Sequence, residues 1–377
     1  MKKLILKFLL LLIIVLAISQ VAINTMPFTW GNQRLNTKFN EYSKAPEQYN
    51  AVLVGASTTY RHINPSQFDS AVNAIRPDLN IKSFNFGIPA NRTPQSVYTL
   101  YELMNFKKDN IKYVVLDLSE LTKMGVENLH KKEMIFWYNW NNIDDILEAS
   151  YESEKSWGNK IGVPGLHLFS FFEKIYLIGM GSSFVEQHAG KNLQPLSIGT
   201  GKNGFYSLDQ EMQEDPEGDL AQRYEVLRRQ DTIDYRTKRC QELWDKYHTA
   251  EKNPNKTIED NLKELIKYCE ANDIKIVFML SQRLGDRYQY LLPLINQIPE
   301  KYQISFANPS EYPMLNEREN LFDLAHLNSG GAKIFTDIFA KEFIERINMQ
   351  EGRQTPPAIT QDTNSIIQDT LSVDAAL

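Results

Sequence analysis

Residues 49–65 read YNAVLVGASTTYRHINP. The run Ala51–Val54 is short, apolar and β-branched, and it ends in Gly55-Ala56-Ser57. Such a run, closed by small residues, predicts a strand buried on both faces, as in a parallel sheet. A helix-like stretch follows at 64–75, then an alternating strand at 81–87 that stops at Gly87. Residues 93–106 predict a helix opened by Thr93 and Pro94, a capping residue and a first-turn proline. KYVVLDLS at 112–119 predicts a third strand. Strand–helix–strand–helix–strand implies right-handed crossovers and a parallel sheet between helices, an α/β fold.

The rhythm lapses over residues 124–255, which are rich in aromatics and charges. They are read as a long helical insertion, a cap over one edge of the sheet. It resumes with a helix at 257–273, a strand at 274–280, a helix at 286–298, a short strand at 304–310 and a last helix at 327–347. The domain is thus expected over 49–350. Residues 25–48 are polar and mixed and read as a stalk. Residues 351–377 are polar, with adjacent prolines, and read as a disordered tail.

The N-terminus carries Lys2 and Lys3 before an apolar run from Leu4 to Ile23, broken by Lys7, Ser19 and Gln20. About 20 such residues cross a bilayer as a helix. Two readings fit 1–24: an uncleaved signal-anchor, or a signal peptide cut near Ala17-Ile18-Ser19. The length of the run favours the anchor. Either way, lysines ahead of the run place the domain outside the cytoplasm, in a periplasm or at a cell surface. The net charge of −6 and the absence of a basic stripe argue against a nucleic-acid partner. Cys240 and Cys269 both lie in helical text, so sequence leaves their pairing open. No Cys/His spacing resembles a metal site.

Function in an open parallel sheet collects beyond the carboxyl ends of the strands. Ser57 stands there, although a serine after a strand is more often a helix cap. A nucleophilic serine needs a base, and the base needs an orienting group. LFDLAHLNSGGA supplies a candidate pair, Asp323 and His326, in a loop entering the last helix. His62 is a rival base by proximity in sequence, without an evident carboxylate. Arg61 is a candidate for an anionic substrate group, its alternative being a salt-bridged arginine. The aromatic stretch at 134–142 offers stacking faces for a sugar, or core packing.

Together, a serine after the first strand, FNFGIPANR ending the second, and DLAHLN before the last helix resemble the SGNH/GDSL hydrolase superfamily. The resemblance covers roughly residues 50–120 and 257–347. It implies a three-layer, flavodoxin-like fold and a cofactor-free serine hydrolase. Carried over residue by residue, Ser57 matches the nucleophile, Asp323 the orienting acid, His326 the general base and Gly87 an oxyanion donor. GASTTYRHINP and DLAHLNSGGA look most like the membrane-anchored branch, which includes proteins of alginate O-acetylation and teichoic-acid D-alanylation. That branch works beside membrane-bound O-acyltransferases, so such a partner is expected. Many members also carry an asparagine after the third strand. Here that strand ends in Asp117, Leu118 and Ser119, and Asn91 is the candidate replacement. The expected function is an esterase or O-acyltransferase acting on an acylated envelope or exported glycan, or on a small ester. The alternative is a non-catalytic protein of the same fold that binds glycan or docks on an acyltransferase.

Overall fold

The structure is a computed structural model describing residues 1–107, 109–118, 124–190, 195–227, 229–251, 255–285 and 288–353. Ser119, most of the expected tail and residues 286–287 of an expected helix lie outside the described residues. An apolar helix α1 (Lys2–Asn24) leads into α2 (Gln33–Tyr42). The first half of the domain is β1 (Ala51–Gly55), α3 (Ser57–His62), α4 (Pro65–Ile75), β2 (Ser83–Gly87), α5 (Thr93–Phe106) and β3 (Tyr113–Asp117). The insertion is helical: α6 (Lys132–Ile135), α7 (Ile143–Glu152), α8 (Trp157–Ile175), α9 (Gly181–His188), α10 (Leu208–Glu214), α11 (Asp219–Leu227) and α12 (Gln230–Tyr247). The second half is α13 (Lys256–Ala271), β4 (Lys275–Leu280), α14 (Leu292–Ile295), β5 (Gln303–Ser305) and α15 (Ser329–Gln350).

The five strands form one parallel sheet in the order β2-β1-β3-β4-β5. Chain order reverses at β1, so the crevice between the carboxyl ends of β1 and β3 is the switch point where such sheets place their sites. Alternate strand residues feed two cores. Val52, Val54, Phe84, Val114 and Phe278 pack with α5 and α13 on one face. Leu53, Val115, Val277, Met279 and Ile304 pack with α4 and α15 on the other. Phe335, Phe339 and Phe343 of α15 are fully buried, and Phe68 of α4 stacks on Phe339 at 5.3 Å. Burying each such ring contributes about 1.5–3 kcal/mol.

Two expectations need correction. Residues 25–48 are not a free stalk: Trp30, Leu35 and Tyr42 are core residues, and Tyr42 packs edge-on against Phe84 and Phe86. Lys38 is also buried, because its amine donates to the carbonyls of Asn85 (3.1 Å), Gly87 (2.7 Å) and Gly204 (2.7 Å). The helix expected over 286–298 is, in its described part, a 3-10 turn at Gln289–Leu291 and the four residues of α14. Pro293 sits in the first turn of α14, where its missing N–H costs no helical hydrogen bond.

Candidate active site

Ser57 is the first residue of α3, and the cap position belongs to Ala56. Its hydroxyl is therefore not used as a cap. It lies 2.9 Å from Nε2 of His326. Nδ1 of His326 lies 2.9 Å from Oδ1 of Asp323. Serine, imidazole and carboxylate thus form one continuous hydrogen-bonded relay across 269 residues of sequence.

The D-x-x-H segment is held by its own backbone. Phe322 and Asp323 N–H both donate to His326 O, and Ala325 N–H donates to Asp323 Oδ1 at 2.7 Å. Leu321 bridges Leu327 across the base of the turn, and Asn328 then caps α15. Burial pushes the Asp323 carboxyl up. Hydrogen bonds from His326 and Ala325 and the charge of Arg223 outweigh it, and hold the acid well below the usual carboxylate range. Burial lowers the His326 imidazole below its ordinary value, only partly offset by Asp323, while Arg283 and Arg61 lower it further. A neutral imidazole donating from Nδ1 leaves Nε2 as acceptor for the serine proton.

Two close approaches set the position of Ser57. Gly55 and Gly87 are paired at the carboxyl ends of β1 and β2. A Cβ on Gly87 would lie 2.3 Å from Tyr60 N, and one on Gly55 would lie 2.6 Å from Asp117 Cβ. Only glycine lets α3 sit this low on the sheet. Beneath α3, Asp117 Oδ2 accepts the hydroxyls of Thr58 (2.5 Å) and Thr59 (2.9 Å). Burial raises this carboxyl to about 6, although the two threonine hydroxyls pull it back.

His62 is no rival base. It is fully buried, its Nδ1 faces Ser281 Oγ at 3.2 Å, and its Nε2 accepts Leu327 N–H at 3.0 Å. Burial and the neighbouring His326 push its pKa well below the ordinary imidazole value. It fixes Leu327, the residue that follows His326. Sequence proximity to Ser57 pointed the wrong way, since the useful partner is 265 residues distant.

Gly87 N–H donates to Asn85 Oδ1 at 2.8 Å, so this amide is already engaged. The loop it opens carries Ala90 in the left-handed region at φ 62°. Among the described residues, Ala90 N–H and Ser57 N–H make no internal hydrogen bond. Asn91 is buried and donates to Ser96 Oγ at 3.2 Å, towards α5. Arg61 is buried too: it donates to Tyr206 O at 2.7 Å and pairs with Glu211. It therefore has the salt-bridged role and ties α3 to the insertion.

The insertion reaches the site. Arg223 of α11 pairs with Asp323 Oδ2, and Tyr224 packs on Phe322 with ring centroids 5.2 Å apart. Asp209 accepts from Ser329 Oγ at 2.7 Å at the start of α15. No sequence signal marked Arg223, because its partner lies 100 residues away. In the aromatic stretch, Phe136, Trp137 and Tyr138 are buried, while Trp140 stays exposed. Trp137 and Asn139 border a cavity of about 390 Å³ between α5, α7 and α13, which no triad residue lines. Cys240 and Cys269 are free buried thiols and do not pair. Among the described residues no three His, Cys, Asp or Glu side chains converge as metal ligands. No protein-family model matches this chain, and no curated protein matches its sequence.

Proposed function

We propose that this chain is an SGNH-type serine esterase or O-acyltransferase that works outside the cytoplasm on an acylated glycan through an acyl-serine intermediate. The relay Ser57–His326–Asp323 carries the reading, with both links at 2.9 Å. The strand order, which is that of flavodoxin-like folds, supports it, as does the apolar α1, which is long enough to anchor the domain to a membrane.

In this reading His326 Nε2 takes the Ser57 proton as Oγ attacks the ester carbonyl. Ser57 N–H, which makes no internal hydrogen bond among the described residues, is left to hold the oxyanion, since the Gly87 amide is engaged. The C–O bond of the ester breaks, and His326 returns its proton to the leaving alkoxide. Water, or a sugar hydroxyl, then attacks the acyl-serine with His326 again as base. Arg223 and Ala325 keep Asp323 ionised so that it can stabilise the imidazolium. Tethering by α1 suits a substrate that is itself held at the envelope, and a membrane-bound O-acyltransferase would supply acyl groups there.

The engaged Gly87 amide favours one rival, a non-catalytic glycan-binding or docking protein of the same architecture. A fluorophosphonate probe separates the two. The proposal expects covalent labelling at Ser57 that is absent from Ser57→Ala. An unlabelled, folded wild type would leave the binding role. Where labelling occurs, an acyl donor given with and without an oligosaccharide acceptor distinguishes transfer from hydrolysis.

A further inference from the structure

Helix α8 carries apolar side chains on its outer face as well as its inner one. Its polar side chains His167, Ser170 and Lys174 are buried. His167 Nδ1 meets Tyr138 OH at 2.6 Å, and the Lys174 amine sits over the Trp30 ring at 4.5 Å. Val163, Phe171 and Ile175 turn inward with them, but four large apolar side chains point outward: Trp157 is 70% exposed, Ile161 66%, Phe169 63% and Phe172 43%. At about 100° per residue these four, with Leu168, share an arc of roughly 120° on one side of the helix. From Trp157 to Phe172 the one charged side chain is Lys160, which is half-buried with its amine over the Tyr151 ring at 4.7 Å. A surface helix normally carries charge outward instead, with its apolar side chains inward. Two further exposed apolar residues continue the face, Trp140 beside Phe171 at 4.8 Å and Ile178 just past the helix.

The neighbour of this face says what covers it. α1 has a mean hydropathy of 2.7 over its most apolar window and is long and apolar enough to cross a bilayer. It leaves the domain against α8, with Gln20 Nε2 donating to Ile175 O at 3.3 Å. Leu16 and Ile23 of α1 pack on the same core that buries Phe171 and Ile175. Gln20 lies near the end of the apolar run, at the depth where a spanning helix meets the headgroups. The carboxyl end of α8 is therefore pinned at that depth.

We propose that the outer face of α8 lies in the bilayer interface, a second and lateral membrane contact beside the α1 span. Trp157, Ile161, Phe169 and Phe172 enter the boundary between headgroups and acyl chains, where amphipathic helices bury their apolar side. Trp157 and Trp140 carry ring N–H groups suited to that boundary. Two contacts fix the tilt of the domain, where α1 alone would leave it free to swivel. The inference rests on α1 as anchor and is independent of the chemistry at Ser57.

The test uses the full chain in vesicles of phosphatidylcholine and phosphatidylglycerol, with and without acyl-chain-brominated lipid. Trp157 emission is isolated as the difference between wild type and Trp157→Phe. The expected result is that bromolipid roughly halves this emission, as for a ring a few ångströms inside the acyl boundary, and that aqueous iodide leaves it unchanged. A Phe169→Asp/Phe172→Asp variant, with its fold checked by circular dichroism, should reopen Trp157 to iodide. The inference is overturned if the chain fails to float with the vesicles. It is equally overturned if Trp157 is quenched by iodide and not by bromolipid, which would mean a water-facing helix or a face kept for a protein partner. Fluorophosphonate labelling of Ser57 in detergent reports separately on catalysis.

Discussion

Ser57 alone is ambiguous, and its hydroxyl acquires a role only through His326 at 2.9 Å. If the relay works, labelling needs a neutral imidazole. Burial lowers the His326 pKa, so the labelling rate should be flat above pH 6.5 and fall as pH drops through an inflection below that ordinary value. Arg223→Gln removes a cation beside Asp323. The imidazolium is then easier to form, and the inflection should move upward in a labelling-rate profile. Asp323 and His326 were legible as a pair because they stand three positions apart on one turn. His62 was left as a rival to His326, and its partner Leu327, remote in sequence, shows what it holds. Arg61 was left between two roles, and Tyr206 and Glu211 of the insertion decide it.

At the scale of elements, β1, β2 and α3 are set by two glycines and one buried amine. Gly87→Ala would push a methyl into the Tyr60 backbone. It should lower Ser57 labelling by about tenfold or more, since an ångström-scale displacement of a catalytic group costs on that order. The measurement is the labelling rate of a variant whose circular dichroism is unchanged. Lys38→Met leaves the carbonyls of Asn85, Gly87 and Gly204 without their donor. Stranded buried acceptors cost about 1–3 kcal/mol each, and partial solvation should bring the total to about 3 kcal/mol, read as a drop in the urea midpoint. β1, β3 and β4 were legible as apolar runs, and β2 as an alternation. α2 was not, because Trp30, Leu35 and Tyr42 are scattered through polar text and Lys38 reads as a surface residue. The short α14 was overestimated, because the text around Pro293 is apolar enough to pass for a longer helix.

For the whole molecule, buried ionisable groups set the response to pH. His62 and His326 have folded pKa values below the ordinary imidazole value. The unfolded chain therefore takes up protons first, and their contribution, complete above about pH 6.5, is lost as pH falls. The depressed Asp323 acts in the same direction from about pH 4 downward. Asp117 opposes them: raised to about 6, it stays protonated in the fold after the unfolded chain has ionised. Its effect is a loss of stability as pH rises through that interval, complete above about pH 6. Denaturation midpoints of wild type and Asp117→Asn should therefore diverge between about pH 4 and 6, in favour of the variant as pH rises, and run parallel above. The sheet, its helices and the position of the insertion were readable from strand rhythm. What the insertion touches was not, since contacts such as Arg223–Asp323 have no local pattern.

The buried α2 segment also fixes a height. α1 ends at Asn24, Met26 and Phe28 pack on the core, and Trp30 is buried in it, so no free tether separates α1 from the domain. With α1 in a bilayer, Ser57 has no leash on which to patrol the envelope. It stands in one layer above the lipid, and only what is presented at that layer can reach it. A soluble fragment begun at residue 49, where the strands start, would lose Trp30, Leu35, Lys38 and Tyr42 and leave the end of β2 without its cradle. One begun near residue 25 would keep them.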